Sequence, residues 1–306
     1  MRIVFFGTPE FSLPSLEKLH QNYQIVAVFT QPDRPAGRGL KPQPSAVKKR
    51  AVELGLKIYQ PEKLDERTGE IIQNLRAQLG VVVAYGKIIP SFIISAFPEG
   101  IINYHPSLLP KLRGAAPVQR AILSGEKITG GTVIYLTEEM DAGDILWQKE
   151  LEIREDDDCG SLSQRLSLLG AEGLLEVVRQ IEKGETKPVP QDSTKATYAS
   201  KIEKEELRIN WEDSAYQNWL KIRAFAPQPA AYCFYKQKKI KIYQAALGSG
   251  SGKPAEVILA SPKSGLEVAC KKGSLYLTKL KPEGGSLMSG AEFVRGYRLE
   301  KGNFLD

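Results

Sequence analysis

Short apolar runs alternate with amphipathic segments along the first half of the chain. Residues 2–6, 25–29, 81–83 and 100–103 are β-branched or aromatic and nearly free of polar side chains, as in strands buried on both faces. Between them, residues 12–19, 46–54 and 67–79 carry apolar side chains three and four apart, which predicts helices with one buried stripe. This alternation of strand and helix predicts an α/β domain on a Rossmann-like open, mostly parallel sheet covered by helices on both faces. Strand-rich stretches at 132–137 and 144–153 follow. Residues 161–181 then return to helical spacing (Leu162, Leu166, Leu169, Leu174, Val178, Ile181) and close the domain.

The texture changes after Lys187. Pro188 and Pro190 stand in a polar run that reads as a linker. Past it come one helix, at 214–225, and short strands at 231–235, 239–245, 255–260, 266–269 and 274–280, separated by Gly, Pro and Ser clusters. That pattern marks a small all-β unit, expected as a smaller C-terminal β-barrel of OB-like type. Ser289 and Glu292 have the spacing of a capping box for a last short helix. The expected organisation is a catalytic domain over 1–187, a linker over 188–206 and a β-barrel domain over 207–306.

Composition adds where the chain works and what it meets. Three cysteines (Cys159, Cys233, Cys270) are too few and too scattered for a disulfide framework or a zinc site, which suits a reducing compartment. The first apolar run is too short for a signal peptide, and no stretch of 18 apolar residues occurs, so a cytoplasmic protein with no membrane partner is expected. Nothing resembles a coiled-coil seam, and a monomer is expected. From residue 200 onward there are 18 Lys/Arg against 11 Asp/Glu, while the preceding residues hold 24 against 25. Residues 31–50 concentrate six basic side chains against one acidic. Two readings stay open at this point: a polyanionic partner, or a lysine-rich solubilising surface.

The candidate chemistry is sparse. Phe6-Gly7-Thr8-Pro9-Glu10 lacks the G-x-G-x-x-G of a dinucleotide site, and no Walker-type loop occurs. With only His20 and His105 in the chain, no His-rich metal site can form, and no metal is expected. His20 ends a predicted helix, where a solvated or capping role suffices. His105 follows a predicted parallel strand at its carboxyl end, where open α/β sheets place their ligands. Asn103 and His105 are two apart, so an extended backbone points both to one face, and Pro106 favours that backbone. Spacing alone leaves open whether the pair is catalytic or merely satisfies backbone groups at a strand end.

Downstream context decides. The string Asn103-x-His105-x-Ser107-Leu108-Leu109-Pro110, with Asp141-Ala142-Gly143-Asp144-Ile145-Leu146 later, resembles the folate-dependent formyltransferase family. Phe6–Phe11, Thr30–Gly39, Val82–Gly86, Arg113–Pro117 and Ile222–Phe225 resemble its tRNA-acting members, and the likeness runs over nearly the whole chain. The resemblance implies the formyltransferase fold, 10-formyltetrahydrofolate as co-substrate, and the methionine amino group of initiator methionyl-tRNA as acceptor. It makes Asn103, His105 and Asp141 the catalytic trio. The chemistry agrees: a tetrahedral oxyanion needs a donor such as an amide, and the migrating proton needs a group titrating near neutrality. It also implies that Ser107, Leu108, Leu109 and Pro110 hold folate, with Val83, Tyr85 and Gly86 beside its cleft.

The basic elements acquire a role by the same resemblance. Residues 33–49 hold too few apolar side chains to pack before Ala46 and read as a mobile exposed loop. The resemblance sends this loop to the acceptor-stem end of tRNA, with Arg34, Arg38 and Lys41 as contacts. In the strand Lys239-Ile240-Lys241-Ile242-Tyr243 the lysines share one face, and Lys201 and Lys204 extend the basic zone. Ala226 and Gln228 depart from the family, whose members often carry Asn and Trp there. Formylation of a small amine, or tRNA binding without catalysis, are the competing functions. The basic zones argue against the first, and an intact trio against the second.

Overall fold

The computed structural model describes residues 1–36 and 41–306. Its first elements are β1 (Arg2–Gly7), α1 (Leu13–Asn22), β2 (Gln24–Phe29), β3 (Arg34–Ala36), β4 (Lys41–Gln43), α2 (Ala46–Glu53), β5 (Ile58–Tyr59), α3 (Glu66–Asn74) and β6 (Leu79–Val83). Then come α4 (Ser91–Ile94), β7 (Ile101–His105), β8 (Arg113–Gly114), α5 (Pro117–Leu123), β9 (Ile128–Tyr135), β10 (Ile145–Glu152), α6 (Cys159–Lys183) and β11 (Tyr198–Ala199). The last part holds α7 (Ala215–Phe225), β12 (Ala231–Tyr235), β13 (Lys238–Gly248), β14 (Val257–Ser261), β15 (Gly265–Ala269), β16 (Ser274–Pro282), β17 (Met288–Ser289) and α8 (Gly290–Tyr297).

Seven strands form one sheet in the order β10-β9-β7-β6-β1-β2-β5. β7, β6, β1, β2 and β5 run parallel, while β9 and β10 are antiparallel additions. The two-residue alternation of side chains divides each strand between two cores. Ile3, Phe5, Val81, Val83, Ile102 and Tyr104 pack with residues of α1, α2 and α6. Val4, Phe6, Val82 and Ile101 pack on the other face with Ile72 and Ile93 of α3 and α4. The chain winds outward from β1 to β5, then returns to β6 on the other side of β1. This reversal opens a crevice at the carboxyl ends of β1 and β6, the usual ligand site of such sheets.

Two boundaries differ from the sequence expectation. The helix expected to reach residue 79 stops at Asn74, because Arg76 turns left-handed (φ 48°) and Leu79 already belongs to β6. The strand expected over 100–103 extends to His105, in register with Thr132 of β9. Residues 33–49, expected as a mobile exposed loop, contain a short antiparallel pairing of β3 with β4, Pro35 facing Pro42.

The carboxyl-terminal strands form an antiparallel sheet, β12-β13-β16-β15-β14, with β17 beside β16. Register shifts in β13 near Gln244 and in β14 after Val257 are the bulges that let a sheet curl, consistent with a small β-barrel. The Ser289–Glu292 capping box forms as expected, Glu292 accepting from the Ser289 N–H and Ser289 from the Glu292 N–H. By Cα proximity the chain falls into two units, Met1–Pro117 with Ile128–Glu152 and Ser163–Ala199, and Val118–Lys127 with Ile153–Leu162 and Ser200–Asp306. The segment after Lys187 is anchored within the first unit: Val189 bridges Ile145, and β11 pairs in parallel with β8. No helix among the described residues is long and apolar enough to cross a membrane.

Candidate active site

Asn103 and His105 lie on β7 on the face that also bears Ile101, while Tyr104 between them enters the opposite core. Asn103 is half-buried, and His105 is 4% exposed. The His105 ring stands between two acceptors: Nε2 is 2.9 Å from the Leu112 carbonyl, and Nδ1 is 3.5 Å from Asp141 Oδ2. A neutral imidazole carries one N–H and can serve only one of them, whereas a doubly protonated ring donates to both. Asp141 is distant in sequence yet reaches the ring because its loop between β9 and β10 folds back over β8, where the Gly114 N–H donates to Asp141 Oδ2 at 2.8 Å. Leu112 and Gly114 therefore hold the histidine and the carboxylate from one short stretch of backbone.

The expected folate residues divide into two kinds. Ser107 is fully buried and donates to the Lys111 carbonyl at 2.6 Å, which closes the turn after β7. Thr132 donates to the Ser107 carbonyl and accepts from the Leu109 N–H, while Gln148 donates to the Leu109 carbonyl. Leu109 is buried, and Leu108 packs over Gly130 so closely that a Cβ there would collide with it. These contacts rigidify the 107–110 turn. Pro110 keeps part of its surface.

Val83 and Tyr85 are side chains of the two sheet cores, so what they offer the crevice is backbone. Burial pushes the Tyr85 phenol up to about 12, and its hydroxyl has no hydrogen-bond partner among the described residues. The Gln31 amide donates to the carbonyls of Tyr85 and Gly86 at 3.0 and 3.1 Å. Gly86 has φ 78°, the left-handed region that favours glycine, and a Cβ there would push the Gln31 amide off these carbonyls. β6 and β7 are neighbours with Val82 opposite Asn103, which brings residues 84–86 alongside the Asn103–His105 pair.

Among the expected tRNA contacts, Arg34 is exposed on β3. Nearby, Asp33 is held below the usual carboxylate range by a hydrogen bond from Gln60 and then by Lys48. Arg38 and the Lys41 side chain lie outside the described residues. Lys201 is exposed, as is Lys204 at the start of a short 3-10 turn. Ile240 and Ile242 are buried, so Lys239 and Lys241 share the outer face of β13. Lys239 Nζ sits 4.0 Å from the centre of the Tyr232 ring, and Lys241 Nζ donates to the Pro229 carbonyl at 3.0 Å. Arg208 covers Phe234, so basic and aromatic groups alternate across this face.

Arg113 and Gln191, neither expected there from the sequence, also adjoin the Asp141 loop. Arg113 is 2% exposed, and Gln191 accepts from its guanidinium through Oε1. An arginine set in a run of Gly, Ala and Pro residues is a weak signal that could have drawn attention to Arg113. Gln191 carries no local signal, since every partner is remote in sequence.

The Formyl transferase family model matches residues 1–178, and that of the Formyl transferase C-terminal domain matches residues 201–298. A methionyl-tRNA formyltransferase from Dictyoglomus turgidum is 43% identical, over 99% of this chain and 98% of that protein. One from Thermodesulfovibrio yellowstonii is 41% identical, over 98% and 97%. Among solved structures, HypX from Aquifex aeolicus in complex with tetrahydrofolic acid has a TM-score of 0.67 at 21% identity; all of this chain matches half of that one. An N-formyltransferase from Helicobacter canadensis with folinic acid and dTDP-3-aminofucose has a TM-score of 0.68 at 17% identity, over 90% of this chain and 98% of that one. At these identities the two structures speak to the fold alone.

Proposed function

The chain belongs to the formyl transferase family, and from that premise we propose that it transfers the formyl group of 10-formyltetrahydrofolate to the methionine amino group of initiator methionyl-tRNA. The product, formylmethionyl-tRNA, serves translation initiation. The observation that carries this reading is identity of 43% with a methionyl-tRNA formyltransferase, sustained through both units rather than the catalytic one alone. Translation takes place where this substrate is made and used, which puts the reaction in the cytoplasm.

The site geometry supports a direct transfer. The amine nitrogen attacks the formyl carbon, a C–N bond forms, and the carbonyl electrons move onto oxygen. Asn103 offers an amide donor to that oxyanion, a contact worth most when the charge has developed. The attacking nitrogen then sheds a proton, and N10 gains one as its bond to the formyl carbon breaks. His105 handles this exchange, and the Asp141 carboxylate 3.5 Å away stabilises the positive ring while it holds the proton. The rigid 107–110 turn and the backbone at Val83, Tyr85 and Gly86 border the folate cleft, with Leu108 supplying apolar wall and the buried Leu109 packed behind it. Arg34, Arg38, Lys41, Lys201, Lys204, Lys239 and Lys241 meet the tRNA.

One assay tests the reading. A labelled formyl donor is offered with initiator methionyl-tRNA, uncharged tRNA and small amines, and label is expected on the first alone. Label on a small amine at a comparable rate would overturn the acceptor assignment. Purified Asn103→Ala and Asp141→Ala are expected to fold yet lose transfer; near-normal turnover in either would remove that residue from the trio.

A further inference from the structure

We propose that Gln191 is a positioning residue for formyl transfer, fixing the main chain of Asp141 against His105 through a clamp shared with Arg113. The proposal rests on the catalytic reading of Asp141 given above. Asp141 has a left-handed backbone (φ 53°), uncommon for a residue with a side chain although aspartate accepts it more readily than most. Gln191 braces the loop in this conformation. The carboxamide spends both hydrogens on this loop, donating from Nε2 to the Asp141 carbonyl at 2.9 Å and to the Gly143 carbonyl at 2.7 Å. Its oxygen accepts from Arg113 Nε at 3.1 Å and Nη2 at 2.8 Å.

Arg113 extends the clamp. Its Nη1 lies 3.5 Å from Glu139 Oε1, on the same loop as Asp141. The Arg113 N–H donates to the Thr197 carbonyl, and the Leu112 N–H donates to Thr197 Oγ1, both at 2.9 Å. Leu112 and Gly114, on either side, hold His105 and the Asp141 carboxylate. One strip of backbone therefore sets the histidine and the side chain of its partner, and Gln191 sets that partner's main chain. Gln191 lies between the two family matches, which end at residue 178 and resume at 201. The segment after α6 thus does more than connect: it closes the back of the catalytic site.

The chemistry of the clamp is that of a primary amide. Methionine at 191 has similar reach but no N–H, so both loop carbonyls lose their donor. Glutamate keeps Arg113 paired, yet its carboxylate cannot donate and faces two carbonyl oxygens. Displacing a catalytic group by about 1 Å can cost 10²-fold in rate. Gln191→Met and Gln191→Glu are therefore expected to lower kcat by about 10- to 100-fold while KM for methionyl-tRNA and for the formyl donor stays within about 2-fold.

A readout independent of turnover is available because the chain has two histidines. In a ¹H–¹⁵N imidazole spectrum of the full-length protein at one pH, the His105 signals of Gln191→Met should move toward their positions in Asp141→Asn, while those of His20 stay put. A thermal melt of each variant establishes that it is folded. Wild-type kcat in Gln191→Met, rescue of kcat by Gln191→Glu, or unmoved His105 signals would each overturn the clamp. Wild-type turnover in Asp141→Asn, with the His105 signals of Gln191→Met displaced, would instead overturn the catalytic reading of Asp141 and leave the clamp as an observed coupling.

Discussion

Tyr104 shows how single residues secure the Asn103–His105 pair. It stands between Asn103 and His105 and sends its ring through the sheet, where its hydroxyl donates to the Leu166 carbonyl at 2.7 Å. Gly131 and Gly170 come so close to this ring that a Cβ at either position would collide with it. Gly131→Ala is expected to destabilise the fold by about 1–3 kcal/mol through overpacking. Tyr104→Phe, which keeps the ring and loses the hydrogen bond, should cost about 1 kcal/mol. Urea midpoints measure both, and an unchanged midpoint in Gly131→Ala would mean that the ring can move aside. At this scale the sequence reveals what spacing encodes. Asn103 and His105 are two apart on a strand, and the alternation of side chains puts them on one face. Gln191 escaped because its partners Asp141 and Arg113 are 50 and 78 residues away, and no periodicity spans such a gap.

At the scale of elements, local chemistry was the readable part. The Ser289–Glu292 box was visible as a spacing, and a second box, Ser214 with Gln217, starts α7 by the same logic. What local chemistry does not contain is the point at which a helix yields to a strand, as at Asn74, where the sheet claims Leu79. Nor does it contain pairings such as that of Arg120 on α5 with Glu206, joined at 2.6 and 2.9 Å. That pair makes a pH-dependent prediction. The Arg120 hydrogen bond holds Glu206 below its ordinary value of 4.5, so its stabilisation is complete above that pH and fades as pH falls through the lowered folded value. Glu206→Gln should be less stable than the parent at pH 7, by no more than about 1 kcal/mol because the pair is partly open to solvent. The gap should narrow in denaturant titrations repeated at pH 3.5. An equal gap at both pH values would show that the carboxylate's charge is not what stabilises this contact.

For the whole molecule, the alternation of strand and helix announced a mostly parallel sheet but not its order, because periodicity says which face is buried and not which strand is the neighbour. The interleaving of segments 118–127 and 153–162 with the carboxyl-terminal unit was equally hidden, since even the acidic run at 155–158 does not say which unit its segment joins. Charge is the one property that the sequence states for the molecule as a whole, and the excess of 18 basic over 11 acidic residues from 200 onward has a measurable consequence. Each lysine that neutralises a phosphate releases counterion, so log K for tRNA should fall linearly with log salt, by about 0.7–0.9 per contact. Lys239 and Lys241 stand on the outer face of β13 beside Tyr232 and Phe234, where a phosphate and a stacked base could be met together. The double substitution Lys239→Ala, Lys241→Ala should therefore weaken binding at low salt and flatten the slope by about one to two. It should leave kcat at saturating tRNA unchanged, because neither side chain belongs to the proposed catalytic trio. If the slope is the same with and without the two lysines, the polyanion meets this protein elsewhere, and the basic face of β13 is a solvated surface.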